Sequence, residues 1–95
     1  METSALSQAL PLTELPTGTR ARVVAVTALD DRHGPLEIAR RLAELGFLPG
    51  EAVRILARGV LGREPIAVRV GTSTFALRLF EAACVHVHPE PAALP

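Results

Sequence analysis

The second half of the chain alternates apolar and polar residues with a period of two, and that period limits what it can fold into. Val53, Ile55 and Ala57 fall on one side of a strand, with Arg54 and Arg58 on the other. Ile66, Val68 and Val70 alternate with Ala67 and Arg69, and Phe75, Leu77 and Leu79 with Ala76 and Arg78. Last come Val85 and Val87, flanked by Cys84, His86 and His88. Successive side chains on a strand point to opposite faces, so each run offers one apolar face to a core. Turns are expected at Gly59 to Pro65 and at Gly71-Thr72-Ser73. An earlier β-rich run, Ala21 to Val26, follows the turn signal Pro16-Thr17-Gly18.

A single stretch keeps the helical period. Ile38, Ala39, Leu42 and Leu45 share one face. Pro35 suits the first turn, where its missing N–H is no loss, and Gly46 suits the position just past the end. The other face pairs Glu37 with Arg41 and Arg40 with Glu44, four residues apart. Such pairs contribute only about 0.2–0.5 kcal/mol each and mark a solvated face. The chain is therefore expected to be mainly β: a small barrel of five or six strands with one inserted α-helix over residues 35–45. Its 95 residues suit one domain, with a folded unit over 11–88 and a loose extension over 1–10. The tail over 89–95 has three prolines, which do not belong inside a sheet.

Composition excludes several functions. Ten arginines, no lysine and ten acidic residues give a net charge of zero, unlike the basic footprint of a nucleic-acid binder. The aromatic residues are Phe47, Phe75 and Phe80, too few for a base-stacking surface or a groove that reads proline peptides. No apolar run approaches the ~20 residues that span a bilayer, so no membrane insertion is expected. The start, Met1-Glu2-Thr3-Ser4, lacks a positively charged signal region, and a lone cysteine gives no disulfide framework. These features point to the cytoplasm.

No catalytic constellation stands out. Ser4, Ser7 and Ser73 sit in no nucleophile elbow, and a chain without lysine has no phosphate loop ending in one. The chain is read as non-enzymatic, with no cofactor required. One cluster suggests a metal. If Val85 and Val87 face the core, then Cys84, His86 and His88 share the outer face at steps of about 6.6 Å. Thiolate and imidazole together suit Zn²⁺ or Fe²⁺, and two chains could each supply ligands to one ion, making a homodimer. The plain alternative is an edge strand with polar residues on its wet side. A second polar group, Asp30-Asp31-Arg32-His33, reads as a solvated loop. Apolar Leu36, next to Arg40 on the outer helix face, and Val60-Leu61 in a turn have no evident internal use. Apolar residues beside arginines suit a protein contact, so Leu36, Arg40, Val60 and Leu61 are the candidate partner-binding residues.

The segment Arg41-Leu42-Ala43-Glu44-Leu45-Gly46-Phe47-Leu48-Pro49-Gly50-Glu51 resembles the helix-to-strand signature of the FeoA family. Leu12-Thr13-Glu14-Leu15-Pro16-Thr17-Gly18 is similar to that family's opening. Pro65 to Gly71, then Phe75-Ala76-Leu77-Arg78 and Glu81-Ala82, are similar to its later half. In this signature Gly46 stops the helix, Phe47 and Leu48 plug the barrel end, and Pro49-Gly50 turns the chain. The resemblance implies an SH3-like barrel acting as an interaction module of bacterial ferrous iron uptake. Its implied partner is FeoB, the permease with a cytosolic GTP-binding domain. The family brings no catalytic residues to carry over, and its members are not uniformly metal binders, so the Cys84, His86 and His88 cluster is a feature of this sequence. The turn Gly62-Arg63-Glu64-Pro65 departs from the small acidic turn usual in the family.

Overall fold

The computed structural model describes residues 9–27, 35–59, 61 and 63–90, with the side chains of Pro35 and Leu36 outside that description. The elements run β1 (Leu10–Pro11), a 3-10 turn (Leu12–Glu14), β2 (Arg20–Val26), α1 (Pro35–Leu45), β3 (Ala52–Arg58), β4 (Ile66–Val70), β5 (Ser73–Leu77), α2 (Leu79–Ala82) and β6 (Val85–Pro89). The six strands form one antiparallel sheet in the order β1-β6-β2-β3-β4-β5. This is the mainly β class read from the sequence, with α1 at the expected bounds. Hydrogen bonds do not close the sheet: β1 and β5 are its two edges.

Strand periodicity builds the core. Ala21 and Val23, Val53 and Ile55, Ile66, Val68 and Val70, Leu77, and Val85 and Val87 are all buried. Leu42 of α1, with Leu12 and Leu15 beside the 3-10 turn, is buried in the same cluster. Each of these Val, Leu and Ile side chains stabilises the fold by roughly 1.5–3 kcal/mol relative to exposure. Phe47 is fully buried and meets Phe75 at a ring-centroid distance of 6.5 Å. Leu48, expected to plug the end beside it, is exposed instead. Glycine is needed at several turns, two of which frame the sheet. Gly46, at φ +117°, ends α1 while the Phe47 N–H donates to the Leu42 carbonyl and the Gly46 N–H to that of Ala43. That pairing satisfies carbonyls the helix end would otherwise leave orphaned. Gly71, at φ +60°, opens the two-residue β4–β5 hairpin.

Bulges break the simple alternation. The β3–β4 register shifts between Ile55 and Ala57, so Leu56 is the extra residue. An extra residue flips the faces beyond it. Ala57, expected in the core, is exposed, and Arg58 turns to donate from Nη2 to the carbonyls of Thr13 (3.0 Å) and Leu15 (2.8 Å). A similar shift falls between Val23 and Ala25 of β2. Leu79 does not continue β5 but starts α2. At the ends, Leu10 belongs to β1, and Pro89 closes β6 opposite Ala21, where the ladder does not require its absent N–H.

Candidate functional site

Helix α2 is tied both to the segment that follows Leu61 and to α1, which carries Arg40. It is one turn long, too short to stand on its own hydrogen bonds. Its first N–H, from Leu79, donates to Glu64 Oε2 at 2.8 Å. The Arg78 N–H donates to Glu81 Oε1 at 2.9 Å, the back-reaching arm of a capping box. The other Glu81 oxygen accepts a 2.5 Å hydrogen bond from Arg41 Nη1 of α1. Glu81, only 7% exposed, is thus a buried carboxylate with both oxygens satisfied. The sequence pairs Arg41 with Glu37; the fold gives it to Glu81, forty residues away. Glu64 and Arg41 therefore fasten the 59–65 loop and α1 to the same short helix.

The loop itself is tight. A Cβ on Gly59 would lie 2.0 Å from the Glu64 carbonyl oxygen, so only glycine lets these backbones meet. Leu61 adopts φ +60°, a left-handed conformation that costs a branched residue about 1–2 kcal/mol, and is 89% exposed. Arg40, on the outer face of α1, is exposed and sits 3.5 Å from Glu44. Phe80 of α2, an aromatic residue 38% exposed, lies on a helix that the strand reading missed. The N-cap of that helix is Arg78 and not the Ser or Thr of a capping-box signature, so the local sequence does not mark the helix. Leu36 falls within α1 but its side chain is outside the described residues, as are Val60, Gly62 and the Asp30 to His33 group.

The structure separates the residues expected to hold a metal. His86 and His88 alternate with buried Val85 and Val87 as expected, but Cys84 precedes β6 and is 3% exposed. Its thiol donates to the Phe80 carbonyl at 3.3 Å. Helix α2 causes this, because the chain turns inward before the strand begins and removes Cys84 from the alternation. His86 Nε2 is hydrogen-bonded to Thr27 Oγ1 at 2.7 Å. Nor is β6 an edge strand, since it lies between β1 and β2. Among the described residues no group of three or more His, Cys, Asp and Glu could hold a metal ion. Zinc takes four ligands in structural sites, or three and a water in catalytic ones, and with Cys84 buried the three residues do not share the one outer face expected of them.

The outer face of the sheet holds a different cluster. Arg20, Arg22, Arg54 and Arg69, with Glu90 and Gly71, line a shallow cavity of about 210 Å³. Arg22 Nε donates to Glu90 Oε2 at 2.5 Å, and its Nη1 to the Gly50 carbonyl at 2.9 Å. No helix among the described residues is long and apolar enough to cross a membrane.

Residues 10–89 match the family profile of the FeoA domain. A search of the curated proteins finds no match. Among solved structures, the chain is similar to Stenotrophomonas maltophilia FeoA, an SH3-domain protein crystallised with zinc. The two share 50% identity over 80% of this chain and 86% of that one, with a TM-score of 0.69. The FeoA protein of Chlorobium tepidum is 30% identical over 90% of this chain and 74% of that one, with a TM-score of 0.72. At 22% identity, a manganese-dependent transcriptional repressor matches over 93% of this chain and 38% of its own, with a TM-score of 0.72; this likeness concerns the fold alone.

Proposed function

This chain belongs to the FeoA family, an accessory family of ferrous iron transport with an SH3-like fold, and on that premise we propose that it docks on the cytosolic GTP-binding region of the FeoB permease. It acts there as a non-enzymatic regulator of Fe²⁺ uptake on the cytoplasmic side of the membrane. The observation that carries this reading is Leu61. An apolar side chain held outward, 89% exposed, on a loop fastened by Glu64 to α2 has no role in the protein's own core. Arrays of apolar and arginine side chains suit contact surfaces. Arg40 and Phe80 are assigned to the same docking surface, Phe80 as an aromatic anchor, and Leu36 and Val60 join it on the sequence reading.

Calorimetric titration of the protein into the purified cytosolic region of FeoB, with and without guanine nucleotide, tests the reading. Saturable binding that weakens at least tenfold in Leu61→Asp, at unchanged melting temperature, is the expected result. Absent binding in every nucleotide state overturns it.

A further inference from the structure

Three arginines stand in one row across the outer face of the sheet. Arg20 of β2 lies opposite Arg54 of β3, Arg54 lies opposite Arg69 of β4, and Thr74 of β5 continues the row. Their strand neighbours Ala21, Val53, Ile55, Val68 and Val70 are buried, so the period of two sets all three arginines on the outer face. Like charges directly opposite one another destabilise a sheet. Within the described residues no contact partner takes up this charge, because the side chains of Arg20, Arg54 and Arg69 make no hydrogen bond or ion pair there. Glu90, whose N–H donates to the Arg20 carbonyl, gives its carboxylate to Arg22. The other acidic group at this rim, Glu51, stands beside Gly71 and forms no ion pair. In a chain of zero net charge, four of the ten arginines line one shallow cavity with a single carboxylate, Glu90.

We propose that this row is a docking site for an acidic segment of a protein partner, whose carboxylates pair with Arg20, Arg54 and Arg69. Guanidinium groups take carboxylates through two parallel hydrogen bonds. Strands about 4.8 Å apart spread the three groups over roughly 10 Å, a span that several carboxylates on one segment cover and a single phosphate does not. The cavity is also smaller than the roughly 300–1,000 Å³ of enclosed small-molecule sites. The face carries no aromatic ring on which a nucleic-acid base would stack. The inference rests on the accessory reading only in requiring a protein partner, and its residues are separate from Leu61 and Phe80.

The test is an NMR titration of the ¹⁵N-labelled full chain with a hexaglutamate peptide and, separately, with inorganic tripolyphosphate. The expected result is peptide-induced shifts concentrated at residues 20, 54, 69 and 74, with affinity that falls as salt rises. Arg54→Glu turns two like-charge pairs into two opposite-charge pairs, so it should raise the melting temperature while lowering peptide affinity at least tenfold. Arg54→Gln should show the same two effects in weaker form. Shifts elsewhere, no shifts, or unchanged affinity in Arg54→Glu overturn the proposal. Tighter binding of tripolyphosphate than of peptide also overturns it and assigns the row to a phosphate ligand. The two readings separate in the FeoB titration. Loss of binding in Leu61→Asp but not in Arg54→Glu leaves docking standing and removes the row from that contact. Peptide binding without any FeoB binding does the reverse.

Discussion

Arg41 of α1 and Glu81 of α2 meet at 2.5 Å, and this contact joins two helices that the sheet alone would leave separate. Glu81 is buried and also caps its own helix through the Arg78 N–H. Replacing it with alanine leaves both donors without this acceptor. Hydrogen bonds to charged groups contribute about 1.5–3 kcal/mol, so Glu81→Ala should cost about 2 kcal/mol. In a domain of this size that lowers the melting temperature by about 10 °C. Arg41→Ala, which removes one of the two donors and leaves the Arg78 N–H on Glu81, should lower it by a smaller amount. Circular-dichroism melts of the two variants check the difference, and equal losses would contradict the role given to Glu81.

Gly59 fixes the loop that presents Leu61. With the Glu64 carbonyl oxygen 2.0 Å from the position of an added Cβ, alanine forces the backbones apart and pulls Glu64 away from the Leu79 N–H. Gly59→Ala should therefore cost more than about 2 kcal/mol, beyond an ordinary surface substitution. Urea unfolding measures it. A midpoint equal to that of the parent would mean the loop opens freely.

Leu61 itself should behave in the opposite way. Its left-handed backbone is strained and its side chain touches water, so Leu61→Gly should stabilise the fold, by up to about 1 kcal/mol. The same change should weaken partner binding by removing the apolar contact. A melting temperature that drops by many degrees would show that Leu61 belongs to the core.

Cys84 is buried with its thiol turned to the Phe80 carbonyl. It should react with a thiol reagent only slowly in native buffer and fully in urea. Because it stands apart from His86 and His88, sedimentation should be unchanged between zinc and chelator. Zinc-dependent dimers that vanish when His86 and His88 are both replaced by alanine would contradict this and restore the strand as a metal site.

The strands, α1 with its glycine stop, and the buried valines of β6 were legible because each depends on neighbours in sequence. The period of two and the period near 3.6 are local properties, and so is the need for glycine at Gly46. Helix α2 was not legible, because the alternation of Phe75, Leu77 and Leu79 runs past the true end of β5 into a turn that distant Glu64 and Arg41 hold in place. The face of Ala57 was lost for a related reason: a bulge at Leu56 adds one residue, and nothing local marks it.

The sequence by itself determined the class of fold, the position of the one long helix, the family and the lack of a basic footprint. These follow from short-range periodicity and from composition, which survive without knowledge of partners. Tertiary structure alone decided that Cys84 leaves the His86 and His88 face, and that Arg41 serves Glu81 and not Glu37. It alone aligned Arg20, Arg54 and Arg69 in one row. Register sets that row, and register depends on how strands far apart in the chain lie against one another. Residues 20, 54 and 69 fall into one row only when β2, β3 and β4 pair, setting three like charges side by side across adjacent strands.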